Sequence, residues 1–481
     1  MGDTVTGNPT LHPYSGPIDL TRPYFVGAGG TAMSALAQLC QATGSTVVSG
    51  SDATDSDRLA RLRDLGCRVT VGHEQAAVEG ASCVVYTTVT AHTSEVAAAR
   101  VAGIPVVHRA QVLQEISKDR RLIAVAGTHG KSTTTAMIAT ALTALGEDPS
   151  YLIGADLDRP GSGARHGKGD LIVAEADESD HSLLFLHPQV AVVTRIAHDH
   201  PENFGGLDDH LDAYTLFAGG LRAGGVLVVD ADDPTSARLA ERIGKLRPDV
   251  SVVTFGNTHA ATVRIESIER HGWSTKVMVT TPGDVPVVLR ANTPGLHHAR
   301  DAVAALTALV SVGVSAVDAA EALSQFTGVQ RRFTTIGEAG GVTVVDCYAH
   351  HTNEIAADLE AAGAVAGEHR VIAVCQPSGY PRVRAFGGEI GRALADGADY
   401  AVLLPVHGGD PIPGVSQTVL GDAVAEDGGQ VRFADLGNAA EVVTGLARPG
   451  DIVVLLGTGT VTDLAEPILR QVAQGAMTSV R

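Results

Sequence analysis

The sequence predicts an α/β protein of three domains with mostly parallel sheets, and three observations carry that prediction. From Tyr24 onward, apolar runs of strand length alternate with longer stretches of helical period, the rhythm of parallel strands joined by crossover helices. The rhythm stops at charged connectors and restarts twice. At 481 residues, the chain is also too long for one hydrophobic core.

The elements follow in order. YFVGAGG (24–30) is a strand running into a glycine turn, TAMSALAQLCQATG (31–44) a helix stopped at Gly44, and TVVSGSD (46–52) the next strand. CVVYTT (83–88) and IPVVHR (104–109) extend the unit, and SKDRR (117–121) closes it. Residues 1–21 are polar, carry Pro9, Pro13 and Pro17, and read as a flexible tail; a Rossmann-like domain is expected over 22–118. LIAVAGTHGKSTTTAMIATALTALG (122–146) restarts the pattern with a buried strand, a glycine loop and a helix closed by Gly146. LIVAEADESD (171–180), VAVVTRIAHDH (190–200) and GGVLVVDADD (224–233) add strands with polar residues at their C-terminal ends, where open α/β sheets bind ligands. This central domain is expected over 119–330. A third, over 331–481, follows GVQRRF (328–333) with the strands VTVVDCYAHH (342–351), RVIAVCQPSG (370–379), YAVLLPVHGG (400–409) and DIVVLLGTGT (451–460).

Composition narrows the function. No apolar run reaches the length of a membrane span, and a net charge of −19 opposes binding to nucleic acid or anionic membranes. The five cysteines (Cys40, Cys67, Cys83, Cys347, Cys375) form no CxxC pair and suit a reducing compartment, so a cytoplasmic location is expected.

The strongest local signal is GTHGKSTTT, from Gly127 to Thr135, between an apolar strand and a helix. That context suits a phosphate loop. Backbone N–H groups of the turn and helix start face an anion, Lys131 adds a mobile positive charge, and the Ser132 hydroxyl can ligate Mg²⁺. Gly127, Thr128, Gly130, Lys131, Ser132 and Thr133 are therefore expected to hold a nucleotide. An ordinary glycine turn with an exposed lysine would leave the coincidence of strand, loop and helix unexplained. In VAEADESD, Glu175, Asp177, Glu178 and Asp180 crowd the end of a strand, a cluster that a cation relieves; Glu175, nearest the strand, is the expected ligand. His200, ending the next strand, is expected at the same metal or as an orienting group. GAGGTAM (27–33), with Asp52 beyond it, looks like a dinucleotide fingerprint, but Ala32 departs from the pattern, and such a turn can equally hold the diphosphate of a UDP-sugar.

Together FVGAGGTAMS, SGSD, IPVVHRAQVL, AVAGTHGKSTTT, AEADESD, GVQRRF, DCYAHHTNEI and LLGTGTVTDL resemble, in order and spacing, the Mur ligases, over residues 22 to 470. The resemblance implies an N-terminal domain for the UDP end of a substrate, a central ATPase domain and a C-terminal domain closing over the site. It implies ATP and Mg²⁺ as cofactors, a UDP-sugar carboxylate and an amino acid as substrates, and a monomer or homodimer. ATP would phosphorylate the carboxylate and the amine would attack the acyl phosphate. Lys131, Glu175 and His200 would be catalytic, with Ser132, Glu175 and His200 on metal and Arg332 on the nucleotide. Gly27, Gly29, Gly30, Asp52, Arg109, Tyr348, His350 and Arg382 would bind substrate. Other branches of the family carry a carbamylated lysine shortly after the DH motif; no lysine stands between His200 and Lys245, which favours the branch joining L-alanine to UDP-N-acetylmuramate. Two alternatives stand beside it: a paralogue forming another amide in specialised metabolism, and a silent homologue that only binds ligand.

Departures from the family pattern cluster. Arg195 replaces an asparagine in TRIAHDH, and His298 and Asp301 stand in GLHHARDA where adenine-contacting asparagines are usual. Cys347 replaces an aspartate expected to bond the ribose, and QPSGYPRV has Gly379 in place of an arginine.

Overall fold

Each restart of the apolar rhythm begins a new sheet in the computed structural model, which describes residues 13–157, 162–283 and 285–479. The first sheet holds β1 (Pro23–Val26), β2 (Ser49–Asp52), β3 (Arg68–Val71), β4 (Cys83–Tyr86) and β5 (Val106–His108), all parallel, in the order β3-β2-β1-β4-β5. The second holds β6 (Arg121–Ala126), β7 (Ser150–Leu152), β8 (Ala164–Arg165), β9 (Leu171–Glu175), β10 (Val190–Val193), β11 (Val226–Asp230), β12 (Ser251–Gly256), β13 (Val263–His271), β14 (Ser274–Thr281) and β15 (Val285–Ala291). Its order is β15-β14-β13-β12-β11-β10-β6-β9-β7-β8. The third holds β16 (Thr334–Ala339), β17 (Val342–Cys347), β18 (Val371–Cys375), β19 (Tyr400–Leu403), β20 (Val431–Phe433) and β21 (Ile452–Leu456), in the order β16-β17-β21-β18-β19-β20.

The central strands are apolar along their length because helices cover both faces of a parallel sheet, and β4 and β10 are buried at every residue. Strand order reverses beside β1 and beside β6. The two glycine loops therefore open into the crevices where α/β sheets take their ligands. The helices Thr31–Ala42 and Lys131–Ala144 stop as the sequence predicts, with Gly44 (φ +101°) and Gly146 (φ +81°) in left-handed backbone just past their ends.

The parallel rhythm does not announce β13, β14 and β15, an antiparallel meander. The second correction concerns the tail. Residues 1–12 lie outside the described residues, but 13–21 are tied down: the Tyr14 N–H donates to Gln111 Oε1, Gln111 Nε2 donates back to Tyr14 O at 2.9 Å, and Ile18 and Leu20 pack on the apolar core.

The first and second domains share one continuous apolar cluster, whereas the third has clusters of its own. Arg222 reinforces the first junction by donating to the carbonyls of Ser117, Lys118, Arg120 and His187. The second junction is the short connector around Arg331 and Phe333, both in left-handed backbone (φ +62° and +55°). No helix among the described residues is long and apolar enough to cross a membrane.

Candidate active site

The phosphate loop leaves β6 and is clamped to the segment after β10. Thr128 N donates to Arg195 O at 2.8 Å, and the Thr128 hydroxyl bonds both Ala197 O and Ala197 N. Gly127 (φ +129°) packs so tightly that a Cβ there would collide with Thr194 Oγ1. Gly130, at φ +80°, caps the helix Lys131–Ala144, whose first-turn N–H groups have no partner within the helix and remain for an anion.

The acidic run after β9 is divided among specific partners. Both carboxylate oxygens of Glu178 accept from Lys131 Nζ, at 2.8 and 2.9 Å, and Nζ also donates to Gly127 O at 2.6 Å. Burial works against the Lys131 ammonium, but Glu178, Asp177 and Glu175 outweigh it and hold its pKa above the ordinary lysine value. Asp177 and Asp180 face the first domain: Arg109 pairs with them at 2.7 and 3.7 Å, and His108 lies 3.4 Å from Asp180. Glu175, expected as the metal ligand, accepts from Gly154 N. Sequence reasoning missed Glu178 as the partner of the lysine.

The third domain reaches in from β17 and the connector. Arg332 donates to Ser132 Oγ at 3.5 Å and lies over the Tyr348 ring, its guanidinium carbon 4.9 Å from the ring centre. Arg331 covers Tyr348 at 5.1 Å. His350 Nδ1 lies 3.0 Å from Tyr348 O, and burial pushes its pKa down to about 4, so the ring is neutral at physiological pH. Glu354, which the sequence did not single out, gathers His129, His350 and Arg332 within 3.7 Å. Arg382, expected to bind substrate, has its guanidinium on Asp199, at 2.9 and 3.1 Å, bridging the helix Tyr380–Gly397 to the DH segment. His200 beside it has left-handed backbone (φ +50°) and contacts Glu202 at 3.1 Å.

Two cavities flank the loop. The larger, about 590 Å³, brings together Thr31 and Arg109, Lys131, Ser132, Glu175 and His200, and Arg332, Tyr348 and His350, so all three domains line it. The smaller, about 120 Å³, lies on the other side of Gly130 and Thr133, walled by Phe255, His298, Arg300, Asp301 and Asn353. Of the first-domain candidates, Asp52 accepts from Gly29 N at 2.9 Å and so shapes the glycine turn, while Gly27 takes φ +78° and Gly30 starts the helix that borders the larger cavity. Arg109 lines that cavity, but Asp177 already holds its guanidinium.

The Mur ligase family catalytic domain matches residues 22–121, the Mur ligase middle domain 125–309, and the Mur ligase glutamate ligase domain 331–459. A UDP-N-acetylmuramate–L-alanine ligase of Streptomyces griseus is 42% identical over 95% of this chain and 99% of its own. The chain belongs to the Mur ligase family. A relative of the same name from Kineococcus radiotolerans is 43% identical, covering 98% of this chain and 100% of its own. Among solved structures, the UDP-N-acetylmuramate–alanine ligase MurC of Thermotoga maritima superposes with a TM-score of 0.79 at 26% identity, over 94% of this chain and 99% of that one.

The donor set of this Mur ligase fits the Mg²⁺ that its family implies. Ser132 and Glu175 supply hard oxygens beside the loop, with His200 on the same wall, and phosphate and water complete such a shell. Two of the departures are explained locally. Cys347 is wholly buried in the third-domain core and lines neither cavity, so the expected effect on a ribose contact does not arise there. Gly379 adopts φ +76° where it starts its helix, a conformation that an arginine would take only under strain.

Proposed function

We propose that this Mur ligase joins L-alanine to the carboxylate of UDP-N-acetylmuramate, converting ATP to ADP and phosphate. The observation that carries the reading is the cavity lined by all three domains, with the phosphate loop at its centre. The names and coverage of the relatives support the choice of substrates. The buried thiols suit a reducing cytoplasm.

A carboxylate is a poor electrophile. Its oxygen attacks the γ-phosphorus while the bond to ADP breaks, and the acyl phosphate formed has a leaving group. The amine then attacks the carbonyl carbon, phosphate departs, and the nitrogen loses a proton to give the neutral amide. Lys131 leaves Glu178 for the phosphoryl oxygens and stabilises their charge. The N–H groups of Gly127, Gly130, Ser132 and Thr133 orient the nucleotide, Thr128 holds the loop in place through the bond its own N–H gives to Arg195 O, and Arg332 arrives from the third domain. Bound Mg²⁺, held by Ser132, Glu175 and His200, would neutralise charge on the phosphates. Tyr348 and His350 face the substrate; Gly27, Gly29 and Gly30 form the turn for the UDP end, which Asp52 braces.

The test is phosphate release from ATP with UDP-N-acetylmuramate and L-alanine together and each omitted in turn. Release that needs both is expected. Release only with another acid or amine would point to a paralogous ligase, and nucleotide binding without any ADP formed would mean a silent homologue.

A further inference from the structure

Beneath the phosphate loop lies a hydroxyl that no step above uses. Tyr214 projects from the helix Leu207–Gly219 and is wholly buried in the cluster shared by the first two domains, and among the described residues its Oη finds no hydrogen-bond partner. A buried O–H left unpaired is costly, so its place calls for an explanation. That place is firmly held: the helix packs on the turn Ser182–Phe185 that follows the acidic run, and Asn203, just before the helix, donates to Ser179 O at 2.7 Å. The phenol therefore faces Gly127 and Thr128 of the loop, and Glu178 is the charged group that acts on it most strongly.

Glu178 meets the converse problem once the reaction begins. Among the described residues, Lys131 is the only donor to its carboxylate oxygens. When Lys131 moves to the phosphoryl oxygens, a side chain only 1% exposed keeps its charge and loses its donor, while the nucleotide adds negative charge to the cavity that Glu178 lines. The other groups around Glu178 do not replace the lysine: Asp177 is an anion held by Arg109, and His200 is turned to Asp199 and Glu202. Thr128, which the phenol also faces, has its hydroxyl bonded to both Ala197 O and Ala197 N.

We propose that Tyr214 is a positioning residue for Lys131: as the ammonium turns to the phosphates, the phenol O–H turns to the Glu178 carboxylate and takes over as its donor. The orphaned hydroxyl and the deserted acceptor then satisfy each other through a charge-assisted hydrogen bond. Drawing the lysine away becomes cheaper, and phosphate binding gains. Burial and the Glu178 charge hold the phenol proton on well above the ordinary tyrosine range, so the group donates and does not ionise. One uncharged hydroxyl offsets only part of an ammonium, which is why Glu178 keeps Lys131 until a phosphate competes for it.

This inference rests on the phosphate-loop reading of Lys131, and the experiment separates the two. Calorimetry on the intact chain would measure ADP and tripolyphosphate, each with Mg²⁺, on wild type, Tyr214→Phe, Glu178→Gln and the double variant, beside thermal melts without ligand. Tyr214→Phe should weaken tripolyphosphate at least about tenfold, the loss of one hydrogen bond to a charged group. Its melting temperature should stay level or rise, because an unpaired hydroxyl has gone. In the Glu178→Gln background the same substitution should change the affinity by less than about threefold, since no charge is left to satisfy. A phenol that only fills the core would give a lower melting temperature in Tyr214→Phe with tripolyphosphate affinity intact; that result, or an equal loss of affinity with and without the Glu178 charge, would overturn the proposal. Failure of wild type to bind either ADP or tripolyphosphate would remove the phosphate-loop reading itself, and the role of Tyr214 with it.

Discussion

Lys131 and Glu178 form a buried ion pair in the phosphate loop, with both carboxylate oxygens within 2.9 Å of Nζ and only 1% of the glutamate side chain exposed. Removing the lysine has two consequences. Lys131→Ala should lower ATP turnover at least about a hundredfold, because charge on the transferring phosphoryl group loses its cation. It should also destabilise the fold by about 3 kcal/mol, since Glu178 is left buried and unpaired. Phosphate release and urea unfolding measure the two, and Lys131→Ala/Glu178→Gln should recover the stability but not the turnover.

Arg382 should matter through Asp199. Burial works against the Asp199 charge, but Arg382 and His200 hold its carboxyl well below the usual range. The stabilisation is therefore present above pH ~4 and is lost as the pH falls through the lowered value. Arg382→Ala should loosen the third domain, seen as a larger radius in X-ray scattering, and cost about 3 kcal/mol at neutral pH. An unchanged radius would mean that the other cross-domain contacts suffice.

Three glycines should respond differently to alanine. Gly127 and Gly130 combine positive φ with a Cβ collision, so each substitution should lower ADP affinity at least about tenfold through loop distortion. Gly146 has positive φ but open space around it, so Gly146→Ala should cost about 1 kcal/mol and leave ADP affinity unchanged.

Asp301→Asn should stabilise the protein at pH 8 in the absence of ligand. The folded-state pKa is raised, so the wild type progressively loses stability from the unfolded carboxyl value up to about 7. The gain should be on the order of 4 kcal/mol above neutrality and vanish near pH 3. Thermal melts across that range would show it, and a gain that persists at acid pH would assign it to another cause.

The five thiols should be silent in the folded protein. All are buried, and burial pushes Cys67 up to about 11 and Cys83 and Cys375 up to about 12. A chromogenic disulfide reagent at pH 8 should titrate none in minutes and five after unfolding.

Much of this organisation was legible in the chain. The two restarts, the helix ends at Gly44 and Gly146, and the strand-loop-helix setting of Lys131 follow from local periodicity and turn chemistry, which the sequence writes directly. The choice among Glu175, Asp177, Glu178 and Asp180 was not legible, because the turn after β9 sends neighbours in one short run to different domains. The Asp199 partner of Arg382 was not legible either, because periodicity says nothing of the carboxylate it meets across a domain boundary. The meander β13 to β15 did leave a trace, the alternating burial of β15, but its twofold period lies within a chain dominated by crossover helices.

The shared apolar cluster and the Arg222 guanidinium weld the first two domains into one slab, whereas the third meets that slab through separate polar contacts, Arg382 with Asp199 and Arg332 with Ser132, around the connector of Arg331 and Phe333. Affinity and turnover thereby become separately adjustable. Substitutions on the slab should change how firmly a substrate binds, and substitutions at the connector should change turnover.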